Sequence, residues 1–249
     1  MTNIIAFGIS DTGYVKSANE DHFSIIPPDF PGMPYMIALS DGVGGRRGGQ
    51  LASVKVLQVI GNHINAVNPS SSQAPEILFE SFNKANSFLR KLSDRNESLK
   101  GMGTTAVVAL VYNSQTIICS IGDSRGYVIN KAGIVQITKD HSWTTELVDK
   151  GILPASQIKN HPYRHHLVKA LGVDEQANPD TFVVENRDIH WLLLCSDGLT
   201  EHVSETEILG VVFKENNPKA AANKLMQVAL SRGGTDNITI VIAHYEKQD

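Results

Sequence analysis

Thr104-Thr105-Ala106-Val107-Val108-Ala109-Leu110-Val111-Tyr112, then Asn113-Ser114-Gln115, then Thr116-Ile117-Ile118-Cys119-Ser120-Ile121: this stretch decides the fold. Two apolar, largely β-branched runs of strand length flank a short polar connection. So short a connection returns the second strand antiparallel to the first, because a parallel neighbour needs a crossover of a dozen or more residues. Gly126–Ile129 and Ile134–Ile137 continue the pattern through Asn130-Lys131-Ala132-Gly133.

Upstream, Ile4–Ile9, Phe23–Ile26 and Tyr35–Ser40 read as further strands. Downstream, Thr181–Val184, His190–Cys195 and Ile238–His244 do the same. Helices stand in separate blocks. A glycine cluster from Gly42 to Gly49 leads into helical spacing at Leu51, Val54, Leu57 or Gln58, Ile60 and Ile64. Pro75 suits a helix start, and Ile77, Leu78, Phe82, Ala85, Phe88, Leu89 and Leu92 then share one face. Two more helices are expected near Ser204–Phe213 and Pro218–Ser231. Strand pairs and helices in separate blocks predict an α+β fold with antiparallel sheets, not a doubly wound sheet. The segment from about His141 to Gly172 breaks the rhythm with Gly151, Pro154 and Pro162, and reads as short helices laid over the scaffold as a flap.

The chain has 249 residues, enough for one large domain or two small ones. Hydrophobic residues make up 41% and charged residues 19%, as in ordinary globular proteins. A net charge of -4, with no Lys/Arg run longer than two, gives no general attraction to nucleic acid or anionic membrane. The start, Met1-Thr2-Asn3-Ile4-Ile5, lacks the basic and apolar regions of a signal peptide, and no apolar run approaches membrane-spanning length. Cys119 and Cys195 both sit in strand-like runs, so buried free thiols in a reducing cytoplasm are expected.

Chemistry concentrates in acidic motifs: Asn19-Glu20-Asp21, Asp41-Gly42-Val43-Gly44-Gly45, Ser196-Asp197-Gly198 and Asp236-Asn237. Tyr35–Ser40 runs into Asp41, His190–Ser196 runs into Asp197, and Asp236-Asn237 opens the last strand. Carboxylates at the ends of buried strands are rigid and half desolvated, and several of them converging repel unless a cation neutralises them. Oxygen-only donors suit Mg²⁺ or Mn²⁺ rather than zinc.

Together the motifs resemble the metal-dependent Ser/Thr protein phosphatases of the type 2C (PPM) family in their bacterial form. The matching segments run in order from Ser10-Asp11-x-Gly13 and Asn19-Glu20-Asp21 through Asp41-Gly42-Val43-Gly44-Gly45, Gly103-Thr104-Thr105, Gly122-Asp123-Ser124-Arg125 and Asp140-His141 to Ser196-Asp197-Gly198-Leu199 and Gly234-x-Asp236-Asn237-Ile238-Thr239. The resemblance implies a single domain over 1–249, built as a four-layer α-β-β-α sandwich of two antiparallel sheets flanked by helices. It implies hydrolysis of phosphoserine and phosphothreonine in proteins by metal-activated hydroxide, in the cytoplasm, opposite a Ser/Thr kinase. Phosphorylated proteins, including the cognate kinase or its substrates, are the implied partners. The implied cofactors are two core Mn²⁺ or Mg²⁺ ions and a weaker third. Asp41 would bridge the core ions, Gly42 would offer its carbonyl, and Asp197 and Asp236 would complete the second ion's shell. Glu20 and Asp21 would act mainly through bound waters, and Asp123 would help hold the third ion. Lys16 stands where many members carry a phosphate-gripping Arg; it keeps the charge without the planar fork. Val43 stands where some eukaryotic relatives have a histidine proposed as general acid; a metal-bound water or the solvent must then serve, or a histidine from elsewhere, with His22, His141, His161, His165 and His166 as candidates. By local reading, Asp11 and Ser10 are turn or cap residues.

Three rival readings arise. Cys119-x-x-Gly122-x-x-Arg125 matches the phosphate loop of cysteine-based phosphatases. Against it, Gly126–Ile129 reads as strand rather than helix, Asp123 would repel phosphate, and nothing visible lowers the Cys119 pKa. His161, His165 and His166 could suggest zinc, but lack a Cys or acid partner at useful spacing. A metal-free binding module of the same fold would have lost its ligands, whereas here each expected position is filled.

Overall fold

The structure, a computed structural model, describes residues 3–43 and 48–246. Gly44 and Gly45 of the glycine cluster lie outside the described residues. Strands β1 (Asn3–Asp11), β2 (Asp21–Ile26) and β3 (Tyr35–Val43) come first, followed by helices α1 (Gly48–Val67) and α2 (Ala74–Arg95). Next are β4 (Gly103–Thr104), β5 (Ala106–Val111), β6 (Gln115–Ile121), β7 (Arg125–Asn130) and β8 (Gly133–Gln136). The flap holds α3 (Trp143–Asp149) and a 3₁₀ turn at Ala155–Asn160. Then β9 (Asp180–Glu185), β10 (Trp191–Cys195), α4 (Asp197–Thr200), α5 (Glu205–Glu215), α6 (Pro218–Ser231) and β11 (Ile238–Glu246) complete the order.

The strands form two antiparallel sheets, ordered β1-β11-β10-β7-β8 and β2-β3-β5-β6-β9, with β4 added to β3. The inner strands of each are buried on both faces, which is why they read as continuous apolar runs rather than alternating ones. In β3, Ile37 and Leu39 face the other sheet while Met36 and Ala38 face α1 and α2. In β11, Val241 and Ala243 face inward while Ile240 and Ile242 meet α5 and α6. The expected four layers follow. Cys119 packs in the core under α1 and α2, and Cys195 in the core under α5 and α6. Two thick layers of sheet therefore part the thiols, and both are free and buried.

Local chemistry explains most element ends. Ser204 and Glu207 close a capping box at the start of α5, and Asn217 caps α6 ahead of Pro218. Two helical expectations shift. The buried stripe of α1 runs through Ala52, Ser53, Val56, Leu57, Ile60 and Ile64, because small residues let the helix approach the sheet. In α2, Leu78, Phe82, Ala85 and Leu89 are buried, but Phe88 turns outward at 40% exposure because it lies one position off that stripe. The strand expected over Thr104–Tyr112 breaks at Thr105, whose N–H donates to the Asp41 carbonyl (2.8 Å) while its hydroxyl accepts from the Asp41 N–H (2.9 Å).

Candidate metal centre

Asp21 and Asp41 face each other across the β2–β3 ladder. Asp41 lies near the end of the buried strand β3, and its backbone is fixed on both sides. Besides the two Thr105 bonds, the Thr104 hydroxyl donates to its carbonyl at 2.8 Å. Thr105 in turn shares a hydrogen bond with Ser124 at 2.6 Å, linking the Asp41 floor to the Asp123 turn. Gly42 has no room for a side chain: a Cβ there would stand 2.2 Å from the Gly49 carbonyl oxygen. That close approach brings the start of α1 against the floor of the site.

Asp197 arrives from the other sheet, at the end of β10 and the start of α4. Asp236 precedes β11, next to Asn237. Asn237 is buried and ties three segments together. Its side-chain Oδ1 accepts from Glu20 N–H (2.8 Å), and its Nδ2 donates to the carbonyls of Thr12 (2.9 Å) and Ala18 (3.0 Å). Ser196 donates to Asp21 Oδ2 at 2.8 Å and accepts from Thr239 N–H at 2.9 Å. Lys16, Glu20, Asp41, Gly42, Val43, Asp123, His165, Asp197 and Asp236 thus line one cleft of about 320 Å³. The buried Asp21 stands just behind it. Every predicted site residue but Asp21 lines that cleft. Asp11 serves as a turn residue, its Oδ1 accepting from Gly13 N–H at 2.8 Å, whereas Ser10 is no turn or cap residue but lies in β1 and bonds Thr239 across to β11 at 2.7 Å.

The electrostatics follow from that convergence. Burial, then the charges of Asp21, Asp197, Asp123 and Asp236, push the Asp41 carboxyl well above the usual range. Burial, with Asp197 and Asp140, does the same to Asp123. Asp21 is pushed up to about 6 by burial, against the opposing hydrogen bonds from Thr239 and Ser196. Burial also raises Glu20, although Lys16 opposes this. Glu20 Oε1, Asp21 Oδ1 and Asp197 Oδ1 are buried without a hydrogen-bond partner. An unsatisfied buried carboxylate oxygen is costly unless a cation meets it. Among the described residues, no group of three or more His, Cys, Asp or Glu side chains is already arranged as a cation cage. The chain's own cations account for part of this. Lys16 Nζ lies 2.8 Å from Asp236, and His165 Nδ1 lies 3.1 Å from Asp197. The donor set is all oxygen, carries excess negative charge and has orphaned lone pairs, so it fits hard divalent ions.

His165 is the residue that local reading placed least well. It finds its acid partners far along the chain: Asp197 at Nδ1 and Glu201 at Nε2 (2.8 Å). Those two hydrogen bonds push it up to about 10, and His165 in turn draws Glu201 down to about 2. The flap thereby reaches the centre of the site. Of the candidate imidazoles, His165 lines the cleft. His161 and His166 instead pack with Trp143 and Tyr163 in an aromatic cluster. His141 is buried; its Nδ1 accepts from Gly122 N–H (3.1 Å), so Nε2 carries the proton toward Asp180 (3.1 Å).

The cysteine reading fails on geometry. Cys119 is fully buried in β6, and burial pushes its thiol up to about 12. Arg125 opens β7 rather than a helix, and it forks onto Asp140 at 2.6 and 3.0 Å instead of facing an anion site.

The sequence matches the family described as protein phosphatase 2C over residues 19–147 and 174–238. The skipped interval, 148–173, lies almost wholly within the flap. Over 235 residues the chain is 33% identical to the serine/threonine phosphatase stp of Listeria welshimeri, covering 94% of this chain and 92% of that protein. It is 33% identical to the serine/threonine protein phosphatase PstP of Mycobacterium tuberculosis, covering 94% of this chain and 43% of that one. A crystal structure of a bacterial serine phosphatase superposes with a TM-score of 0.93 at 35% identity, covering 99% of this chain and 100% of that one.

Proposed function

This chain belongs to the protein phosphatase 2C family, and from that premise we propose that it removes phosphate from phosphoserine and phosphothreonine in proteins at a centre of two divalent cations. The observation that carries this is the cleft itself, where carboxylates from β2 and β3, the start of α4 and the turn before β11 meet with buried oxygens left unpaired. Asp41, the Gly42 carbonyl, Asp197 and Asp236 would hold the two ions, Mn²⁺ or Mg²⁺. Glu20 and Asp21 would act through intervening waters, and Asp123 would steady a weaker third ion. Such a pair, when bound, supplies charge for the phosphate and an activated water for in-line displacement.

The chain's own residues do the rest. Lys16 stands at the rim with its side chain 45% exposed, able to leave Asp236 for a phosphate oxygen. Burial works against its charge, but the bond and charge of Asp236, with Asp41 and Asp197, raise its pKa, so it stays cationic. Val43 lines the cleft without a proton to give. Ser196 holds the Asp21 carboxylate, while Asn237 and Thr105 hold the backbones of Glu20 and Asp41, so little reorganisation is needed at the reacting centre. We read residues 1–249 as one catalytic domain working in the cytoplasm. Its partners would be phosphorylated proteins, including a cognate Ser/Thr kinase or its substrates. No helix among the described residues is long and apolar enough to cross a membrane.

The test is p-nitrophenyl phosphate hydrolysis without metal, with Mn²⁺, and with Mn²⁺ after thiol alkylation, beside Asp197→Ala. Turnover that requires Mn²⁺, survives alkylation and disappears in the variant is expected. Turnover that ignores a chelator but dies on alkylation would overturn the reading, as would no turnover at all.

A further inference from the structure

His141 is a buried imidazole that the chemistry above leaves without a task, and it stands where the flap leaves the scaffold. It meets Gly122, the residue before Asp123, at two points. The Gly122 N–H donates to His141 Nδ1 at 3.1 Å, and the His141 N–H donates to the Gly122 carbonyl at 2.8 Å. The His141 carbonyl accepts from Val168 N–H at 2.9 Å, on the returning limb of the flap. The next residue, Ser142, bridges to Leu167. One residue therefore joins both limbs of the flap to the Asp123 turn.

The turn has no slack on its other side. Gly122 has φ +97°, and a Cβ there would stand 2.5 Å from Thr105 Cγ2. Thr105 holds the Asp41 backbone and bonds Ser124 at 2.6 Å. The Asp123 turn is thus pressed between the Asp41 floor and His141. Asp123 also lines both the ion cleft and a second cavity of about 480 Å³ under the flap, beside Ser142 and Arg164.

The chemistry of this position calls for a histidine. Gly122 N–H requires an acceptor, and Asp180, 3.1 Å from Nε2, takes a donor. A neutral imidazole presents one of each at two separated points of a rigid ring. Burial lowers the His141 pKa, against the opposing bond to Asp180, which keeps Nδ1 free to accept. Asparagine can place an acceptor near Nδ1 but stops short of Asp180. Glutamine can reach Asp180 but leaves the Gly122 N–H unpaired, and a buried unpaired donor is costly enough to shift the turn. We propose that His141 is a positioning residue that fixes the Asp123 carboxylate from the root of the flap and so sets the affinity of the cation held there. This rests on the phosphatase reading above, which assigns Asp123 to the weaker third ion, and adds a residue that acts through it.

The experiment titrates metal-free wild type, His141→Asn, His141→Gln, His141→Leu and Asp123→Asn with Mn²⁺ by calorimetry, with p-nitrophenyl phosphate hydrolysis measured alongside. The weaker binding step that vanishes in Asp123→Asn marks the cation at Asp123. In His141→Gln and His141→Leu that step should weaken roughly tenfold, the effect of leaving one buried N–H unpaired, while the tighter steps stay within about twofold. His141→Asn should bring it back to within about threefold of wild type, because the acceptor is restored. A general loss of packing would move every step together and would not separate asparagine from glutamine. Should His141→Leu not fold, the asparagine and glutamine variants decide the matter. Wild-type affinity at the weaker step in His141→Gln, equal weakening in His141→Asn and His141→Gln, parallel loosening of every step, or no step that depends on Asp123 would each overturn the role. A wild type that still needs Mn²⁺ for turnover then leaves the phosphatase reading standing. Wild type that neither binds Mn²⁺ nor turns over p-nitrophenyl phosphate sinks that reading as well.

Discussion

Lys16 and Cys119 make opposite demands on their surroundings, and each can be tested singly. Lys16 is a point charge on a flexible stem, so it can follow a phosphate oxygen but cannot fork onto two. A hydrogen bond to a charged group contributes about 1.5–3 kcal/mol, and at a half-exposed rim the lower end applies. Lys16→Ala is therefore expected to raise KM for p-nitrophenyl phosphate roughly tenfold with a smaller change in kcat, and Lys16→Arg to lower KM. An unchanged KM in Lys16→Ala would show that the lysine serves Asp236 and not the substrate. Cys119 instead sits among apolar neighbours in the core, with Thr181 donating weakly to its sulfur at 3.6 Å. Cys119→Ala should retain full turnover and lose about 1 kcal/mol of stability in urea unfolding, as expected for a small core truncation. Loss of activity with stability intact would revive the thiol as a nucleophile.

The flap is where one element changes the site. His165 and Arg164 both pair with Glu201, and His165 also holds Asp197, so a segment outside the family match occupies a carboxylate assigned to an ion. The imidazolium and a divalent ion compete for the same oxygens. The His165–Asp197 pair is partly exposed and contributes on the order of 1 kcal/mol. His165→Ala is expected to lower the Mn²⁺ concentration giving half the maximal Tm shift by roughly three- to fivefold. Weaker Mn²⁺ binding in that variant would mean the histidine supports the site instead of competing for it. This element also marks where local sequence reading stops. Asp41 and Asp197 announced themselves because each ends a continuous apolar run, a signal carried by immediate neighbours. The β5–β6 hairpin was legible for the same reason, its short connection fixing antiparallel pairing. The His165–Asp197 contact spans 32 residues, and the Asn237–Glu20 bond spans 217. Neither leaves a periodic trace. In the sequence Asn237 is only the neighbour of Asp236 in an acidic motif, yet it clamps the loops on which Lys16 and Glu20 stand. The outward turn of Phe88 was missed because two neighbouring positions on a helix both look apolar, and only packing decides between them.

Taken whole, the molecule stores repulsion at one end of its sheets, and this predicts how its stability depends on pH. Asp41 and Asp123 are raised well above the usual range, Asp21 to about 6, and Glu20 is raised too. A carboxylate raised in the folded state holds a proton that the unfolded chain has already released, so its contribution is lost as pH climbs through the folded value. His165, raised to about 10, adds stability that is full below its ordinary value near 6.5 and is lost as pH rises toward 10. Glu201 is lowered to about 2, so its contribution is already complete above its ordinary value near 4.5 and stays level thereafter. His22 and His141 are lowered by burial and add stability as pH climbs toward their ordinary value near 6.5, so the signs agree above that point: the metal-free protein should lose Tm from about pH 6.5 to 9, by roughly 5 °C or more if the net loss reaches about 2 kcal/mol. Mn²⁺ should restore it, and the Tm gain at fixed Mn²⁺ should grow with pH because binding requires ionised carboxylates. Activity should rise above neutrality in step. Asp41→Asn separates the parts of this argument. Removing the central charge relieves repulsion from Asp21, Asp197, Asp123 and Asp236, so the variant should melt higher than wild type without metal at pH 8, yet show no Mn²⁺ shift and no turnover. A metal-free Tm that stays flat from about pH 6.5 to 9, or an Asp41→Asn variant less stable than wild type at pH 8, would mean that the carboxylates are held apart well enough to need no cation, and the reason for placing ions between them would go with it.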